Sequence, residues 1–447
     1  MAQNFLSCDR QQEMLLPPSV ADWLPAGHLA RFVIEVVEQL DLSAIYAAYR
    51  ADGHGRAAHD PAMMTALVLF NYAVGVRSSR VIERRCVEDV ACRVIAANRA
   101  PDHTTIARFR ALHQVAISGL FFDVLALCRD AGMVSVGTIA VDSTKLAADA
   151  SMGANYTLEG LRAVAERIVG EAAEIDARED ELFGDRRGDE LPDELADPAT
   201  RAAKIRELLR HANARAEQLE ADREQLLARR AADQQRTGRA AMGRPPGARP
   251  PVKQRKKLAD AKYNLTDRDS AIVRHRGMLL QGYSIQTTVA EGQVILAARA
   301  TNAAPDHGQL APAVGRAISN LAAVGIDDSI QHVLADSGYW HAGQIDELQQ
   351  RGMQVLIPPP SRNRRSAERM QPTAHAMHAT LAASTAKQTY RRRQQIVEPV
   401  FAHIKHHRAI TRLLRRGQQA VQAEIDLIAT THNLLKLYRN PAAAATA

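Results

Sequence analysis

Gly137-Thr-Ile-Ala-Val-Asp142 and, much further along, Gln331-His-Val-Leu-Ala-Asp336 are short apolar runs that each end in an aspartate. In the first, Ile139 and Val141 alternate with Thr138, Ala140 and Asp142, the period of two that marks a strand. The second is continuously apolar over Val333, Leu334 and Ala335 and is followed by Gly338, as in a buried strand. An Asp closing one isolated strand is ordinarily a helix cap or a turn residue. Two of them on strands laid side by side meet at one edge of a sheet, where oxygen ligands can share hard divalent cations.

The segments around these runs set the fold class. Gly282–Ala290 and Gln293–Thr301 read as strands joined at Glu291 and Gly292, a hairpin. Then come a helix over Gly308–Ala323, the Asp336 strand, a helix over His341–Arg351, a strand over Met353–Ile357 and a helical segment past Gln395. This order predicts an α/β catalytic domain over 133–437 with an RNase H-like mixed sheet. A long helical insertion and basic Pro-rich linker, 155–262, interrupt it after its first strand. The insertion is rich in Ala, Arg and Glu up to about residue 236, and a solvated helix pair is its plain reading. Gly243–Lys257, where four prolines alternate with Arg and Lys, reads as a flexible basic linker. Upstream, residues 1–132 read as an all-α N-terminal domain with helices over His28–Tyr49, Asp60–Val76, Arg80–Ala97 and Thr104–Ala131. Residues 438–447 read as a disordered tail.

Composition narrows the function classes. The formal net charge of +7 and pI near 9.3 favour a polyanionic partner. Cys8, Cys86, Cys92 and Cys128 lack CxxC spacing, so neither a zinc site nor a disulfide framework is indicated. No Gly-rich phosphate loop is present, which argues against nucleotide hydrolysis. The longest apolar run, Ala62–Val76, contains Thr65 and Asn71 and is too short to span a bilayer, so no membrane partner is expected. Asp9, Arg10 and Glu13 stand where an export signal needs an apolar core, and a cytoplasmic, nucleoid-associated location in a bacterium is the expectation.

A third carboxylate, Glu398, can complete the site from a helix. Two ions about 3.5 to 4 Å apart can activate an attacking oxygen and stabilise a leaving one in displacement at phosphorus. Lys405 lies seven residues on, nearly two helical turns, and so shares the face of Glu398, beside any bound phosphate. Pro399 fits a first helical position best, which makes Glu398 a cap and leaves Arg391 outside the helix. Between Arg362 and Arg416 thirteen Lys and Arg, Arg408 and Arg415 among them, face only Glu368 and Glu398. Such a segment binds a polyanion without reading its sequence. The candidate reader is upstream, where Asp102 and Thr104 can cap a helix that presents Arg108 and Arg110, as in a helix-turn-helix. Trp340 reads as a packing aromatic, and His403, His406 and His407 suit zinc rather than the hard ions that carboxylates prefer.

Five stretches in order carry a resemblance over nearly the whole chain: Pro101-Asp-His-Thr-Thr-Ile-Ala-Arg-Phe-Arg110, Val141-Asp-Ser-Thr-Lys145 with Ala150-Ser151 downstream, Gln281-Gly-Tyr283, Ala335-Asp-Ser-Gly-Tyr339, and Ile396-Val-Glu-Pro-Val-Phe401 running to Lys405. With these the chain resembles DDE transposases of bacterial insertion sequences, in the branch with a helical N-terminal domain. The resemblance implies an RNase H-like catalytic domain and Mg²⁺ or Mn²⁺, two ions per site, on Asp142, Asp336 and Glu398. It implies metal-dependent cleavage at the terminal inverted repeats and strand transfer into target double-stranded DNA, with a homodimer in the synaptic complex. The family's Tyr, Arg, Glu and Lys signature fits from Glu398 to Lys405. Upstream it is out of phase: the Arg position falls on Gln394 and the Tyr position on Arg391, whereas Tyr390 and Arg393 stand one residue earlier. Tyr390, Arg391, Arg393, Lys405, Arg108 and Arg110 are the candidate DNA contacts. A metal-dependent nuclease that does not join, or an inactive transposase-derived DNA-binding regulator, are the alternatives.

Overall fold

Asp60 starts a helix in the way its neighbours dictate: its carboxylate accepts from the amides of Ala62 and Met63, and Pro61 takes the first helical position. That helix, Pro61–Ala73, is buried on nearly every side. The computed structural model describes residues 19–49, 58–157, 262–275, 277–303, 305–360 and 372–440, with isolated positions between 159 and 235. Two compact units divide the chain, one formed by residues 1–146 and 284–447, the other by 147–283.

In the first unit, among the described residues, seven α-helices precede the first strand: α1 (Leu29–Gln39), α2 (Ser43–Tyr46), α3 (Pro61–Ala73), α4 (Ser79–Glu88), α5 (Val90–Ile95), α6 (His103–Leu112) and α7 (Gln114–Asp130). Three expected long helices are each broken, the first, His28–Tyr49, between Gln39 and Ser43. Asp89 ends α4 and caps α5 by accepting from the Cys92 amide. His113 separates α6 from α7 at a 73° bend, where its buried ring stacks on Tyr49 and packs on Phe109. At Asp89 a local cap, with Arg85 and the Cys92 amide as partners, and at His113 a ring with the tertiary partner Tyr49, override the apolar period that predicts continuity.

The sheet of this unit runs β6–β5–β1–β7–β8, built from β1 (Thr138–Ala147), β5 (Met278–Ala290), β6 (Ile295–Thr301), β7 (His332–Ala335) and β8 (Gln354–Leu356). The β5–β6 hairpin is antiparallel, with a bulge at Thr288/Val289, and β7 is parallel to both β1 and β8. The expected α/β order is therefore present as a mixed sheet. Helices α8 (Leu310–Ala323) and α9 (Ala342–Gln350) connect its strands; α10 (Pro372–Ala382), α11 (Ser384–Ala402) and α12 (Gln418–Tyr438) complete the unit. No single helix among the described residues is long and apolar enough to cross a membrane.

Helix α12 packs on α3, α7 and β6, and its polar side chains cover the open side of β6. Asn433 bonds both backbone groups of Ile295, at 2.8 and 2.9 Å, and Gln422 bonds the Ala300 amide and the Ala298 carbonyl. An edge strand with unpaired backbone groups is a template for aggregation, and these amides occupy it. The same helix carries Glu424, 1% exposed, which accepts from Arg77 and from the backbone amides of Leu414 and Arg415. Gly75 closes α3 with a φ of +85°, and a Cβ there would lie 2.5 Å from the Arg408 carbonyl oxygen, so only Gly fits this approach. Tyr438 ends α12 and donates to the Gly27 carbonyl, so ordered structure reaches into the start of the expected tail.

The second unit contains the two-stranded pair β2 (Asn155–Tyr156) and β3 (Tyr263–Asn264), and the hairpin of β4 (Ala271–His275) with the first residues of β5. Tyr283 donates to the carboxylate of Asp267, and Asn264 donates to the Ser151 carbonyl at 2.8 Å. The positions described between 207 and 235 are helical. The rest of the expected helical insertion, the basic Pro-rich linker, and the arginines between 361 and 371 lie outside the described residues.

Candidate active site

Parallel pairing of β1 with β7 sets the site. The register places Val141 opposite Ala335, so Asp142 and Asp336 follow at the same end of neighbouring strands. Asp142 continues within β1, where the Ser143 amide donates to its Oδ1 at 2.7 Å. Asp336 leaves β7 and caps a short turn, accepting from the Gly338 amide at 2.9 Å. The bland reading of a strand-ending Asp, a turn cap, thus holds for Asp336 alongside its place beside Asp142. Burial pushes the Asp142 carboxyl up to about 6; Arg393 and the Ser143 amide pull it down, and the charge of Asp336 adds to the rise.

Glu398 reaches the site from α11, and here the structure corrects an expectation. Pro399 lies inside α11, which is continuous from Ser384 to Ala402, so Glu398 is no cap and Arg391 is helical. A helical Pro leaves the carbonyl four residues back without its amide. That carbonyl belongs to Gln395, and the side-chain amide of Gln293, in the β5–β6 turn, donates to it at 2.9 Å. Glu291 of the same turn pairs with Arg392 at 2.8 Å, so the turn fastens α11 to the sheet.

Arg393 is the side chain that links the carboxylates. Its Nη1 lies 2.8 Å from Asp142 Oδ2 and its Nη2 lies 3.7 Å from Glu398 Oε1. The family phase puts the Arg one turn before the Glu, but Gln394, which holds that place, is exposed and Arg393 faces the site instead. Five residues rather than four separate Arg393 from Glu398, so the two side chains are rotated apart around the helix and their contact is long. Tyr390, one turn before Arg393, stands beside it half-buried; burial raises its hydroxyl pKa against the pull of Arg393. Arg391 is exposed.

Past α11 the chain makes a π-turn over His403–His407, and Lys405 extends to β1, donating to the Lys145 carbonyl at 2.9 Å. Two arginines counted with the polyanion-binding segment are committed elsewhere. Arg408 is 3% exposed and donates to the carbonyls of Tyr72 and Ile428 and to Thr431. Arg415 donates to the Arg110 carbonyl and to Gln114. Of the two candidate sequence readers, Arg108 is exposed. Arg110 is turned inward, donating to the Tyr72 hydroxyl at 3.0 Å, the Arg77 carbonyl at 2.7 Å and Ser79. Asp102 caps α6 as expected, through the Thr105 amide. A buried polar residue needs its donors satisfied, and that need, invisible in the period of α6, turns Arg110 into a structural residue.

A polar group that the sequence reading passed over lies under the carboxylates. The Lys145 ammonium donates to Ser143, Ser284 and Asp306, the last at 3.0 Å. Gln286 donates to the same Asp306 oxygen at 2.8 Å and accepts from the Tyr339 hydroxyl. Asp306 lies in the loop five residues past Thr301, the last residue of β6, whereas Asp142 lies within β1 and Asp336 directly follows β7. Lys145 stands three residues after Asp142, and nothing local shows that its partner is in a loop beyond β6.

Three carboxylates are the hard oxygen donors that Mg²⁺ or Mn²⁺ prefers. Asp142 and Asp336, side by side at one sheet edge, fit a shared cation, and the guanidinium paired with Asp142 and Glu398 already occupies a cation's place. Among the described residues no three His, Cys, Asp or Glu stand close enough to hold one ion, and Glu398 stands 3.7 Å from the Arg393 guanidinium. A buried carboxylate with a raised pKa takes up a proton between its unfolded value, 3.8, and about 6, and its ionised form weakens the fold above that window. Asp142→Asn therefore stabilises the metal-free protein at about pH 8 and loses this advantage below about pH 4. Urea titrations at both pH values in a chelator measure it; an equal difference at both would show that Asp142 is not held neutral.

The comparisons with known proteins agree with this architecture. Residues 18–112 match the family model described as Transposase domain (DUF772), and residues 253–434 match the Transposase DDE domain. Asp336 and Glu398 lie within the second match, and Asp142 precedes it. No curated protein and no solved structure matches the chain. The second match gives the mixed sheet its class, an RNase H-like fold. A helical transposase domain followed by a transposase DDE domain, in the order expected of insertion-sequence enzymes, places the chain in the family of DDE transposases, proteins of DNA transposition.

Proposed function

We propose that this transposase cuts DNA at the ends of its insertion sequence and joins the freed ends to target DNA, with Asp142, Asp336 and Glu398 as the metal ligands. The observation that carries the reading is the β1–β7 register, which puts Asp142 and Asp336 side by side at one sheet edge. When bound there, Mg²⁺ or Mn²⁺, two ions per site, supplies an activated oxygen nucleophile and stabilises the leaving oxygen. Water attacks a phosphorus at the element's end, the bond to the 3′ oxygen breaks and that oxygen leaves as a 3′-hydroxyl. The 3′-hydroxyl then attacks a phosphorus in the target strand, so one phosphodiester replaces another and no ATP is consumed.

The chain's own residues position the DNA. The exposed Arg391 and Arg108 neutralise backbone phosphates, and Tyr390 and Lys405 flank the carboxylates from α11 and the turn after it. Their contribution is sequence-independent and weakens with salt. Two subunits, each holding one inverted repeat, form the synaptic complex, in the bacterial cytoplasm at the nucleoid. The test is incubation of the purified protein with Mg²⁺ and a labelled duplex bearing the element's ends, together with a target plasmid. Cleavage with joined products is expected. Cleavage without joining would make it a nuclease, and binding without reaction a regulator.

A further inference from the structure

Asp142 and Glu398 come from different elements, β1 and α11, and both are drawn to the same guanidinium. Of the two Asp142 oxygens, Oδ1 accepts from the Ser143 amide, which leaves Oδ2, and Oδ2 is the atom Arg393 holds. A divalent ion and a guanidinium are both drawn to this oxygen, and the two positive charges compete for it. The grip is uneven: firm at Asp142, where both side chains are mostly buried, and loose at Glu398, which is 55% exposed. Asp142, with Tyr390 and Asp336, keeps Arg393 charged despite its burial. On release it is a cation at the rim of the site, and an arginine fork suits two phosphate oxygens.

We propose that Arg393 is a displaceable counter-cation. It closes the carboxylate site when no divalent ion is bound and turns to the DNA backbone when one enters, so that metal and DNA each tighten the other's binding. This rests on the carboxylate reading above and adds to it a coupling between the two ligands. Because the coupling is a difference in binding free energy, it is reciprocal.

The experiment uses Mn²⁺ alone as probe. Free Mn²⁺ is followed by electron paramagnetic resonance as it is titrated with the full-length protein, with Arg393→Gln and Arg393→Lys variants, each also carrying Asp142→Asn as a control. Arg393→Gln binds Mn²⁺ more tightly than wild type, by about tenfold, within the usual range of such couplings, and Arg393→Lys falls between. Addition of a duplex bearing the element's ends tightens Mn²⁺ binding in wild type and does so less in Arg393→Gln. Near-ultraviolet circular dichroism reports whether each variant keeps its packing, and Arg393→Lys carries the test should Arg393→Gln unfold. If Asp142→Asn removes Mn²⁺ binding but neither Arg393 variant tightens it, the counter-cation proposal alone falls. If Asp142→Asn leaves Mn²⁺ binding unchanged, the carboxylate site itself is misassigned and both readings fall.

Discussion

Alanine at Asp142, Asp336 or Glu398 removes Mg²⁺-dependent cleavage at the element's ends, by about 10³-fold or more, while end-bearing DNA is still bound. Groups that act as one unit fail nearly as completely singly as together, which sets that magnitude. DNA affinity survives because it comes from cationic side chains away from the carboxylates, chiefly the exposed arginines. Single-turnover cleavage of a labelled duplex, with binding measured on the same preparations, provides the check. The Asp142 and Asp336 variants test the β1–β7 register directly. The Glu398 variant is the most informative, since this carboxylate is the most exposed of the three and is held off by Arg393. Wild-type rates in Glu398→Ala would remove Glu398 from the site and leave Asp306, joined to Lys145 beneath the sheet edge, as the next carboxylate to test.

Glu424→Ala destabilises the protein by about 3–5 kcal/mol, the cost of removing one partner from a buried pair. Glu424 accepts from Arg77 Nη1 at 2.6 Å, and its other oxygen accepts from two consecutive backbone amides, Leu414 and Arg415. Alanine leaves all three donors without this acceptor and leaves the Arg77 charge, 9% exposed, unpaired. The effect spreads because α12 carries this carboxylate together with the amides that cover the β6 edge. Glu424→Gln, which keeps an acceptor oxygen but not the charge, is expected to lose less. Urea unfolding followed by circular dichroism distinguishes the two; a loss under about 1 kcal/mol for Glu424→Ala would mean that the freed donors find water.

The candidate site was legible in unequal parts. Asp142 and Asp336 were readable because a strand followed by a carboxylate is a local pattern, and the pairing of the two strands then follows from the alternation of strands and helices. Asp306 stands in a loop five residues past β6, outside that pattern, and its role depends on an ammonium from β1. The arginines were misread most. Charge counting put Arg408 and Arg415 on a polyanion-binding face and Arg110 on a reading helix, yet all three bond backbone carbonyls within the unit. Composition tells how many cations a segment has and is blind to which of them a distant carbonyl claims.

By itself the sequence determined the helical start, the strands β1 and β5 to β8 in their chain order, the aspartates in β1 and directly after β7, and the family to which the chain belongs. Each of these rests on periodicity, capping chemistry or ordered motifs within a few residues of one another. The tertiary structure alone decided the continuity of α11 through Pro399, the inward turn of Arg110 and Arg408, and the seat of Arg393 between Asp142 and Glu398. In every one of these cases a donor or acceptor is satisfied by a group far along the chain, as the Gln395 carbonyl is by Gln293. A hydrogen-bond partner brought by folding leaves no trace in local sequence pattern, yet it decides where the side chain points.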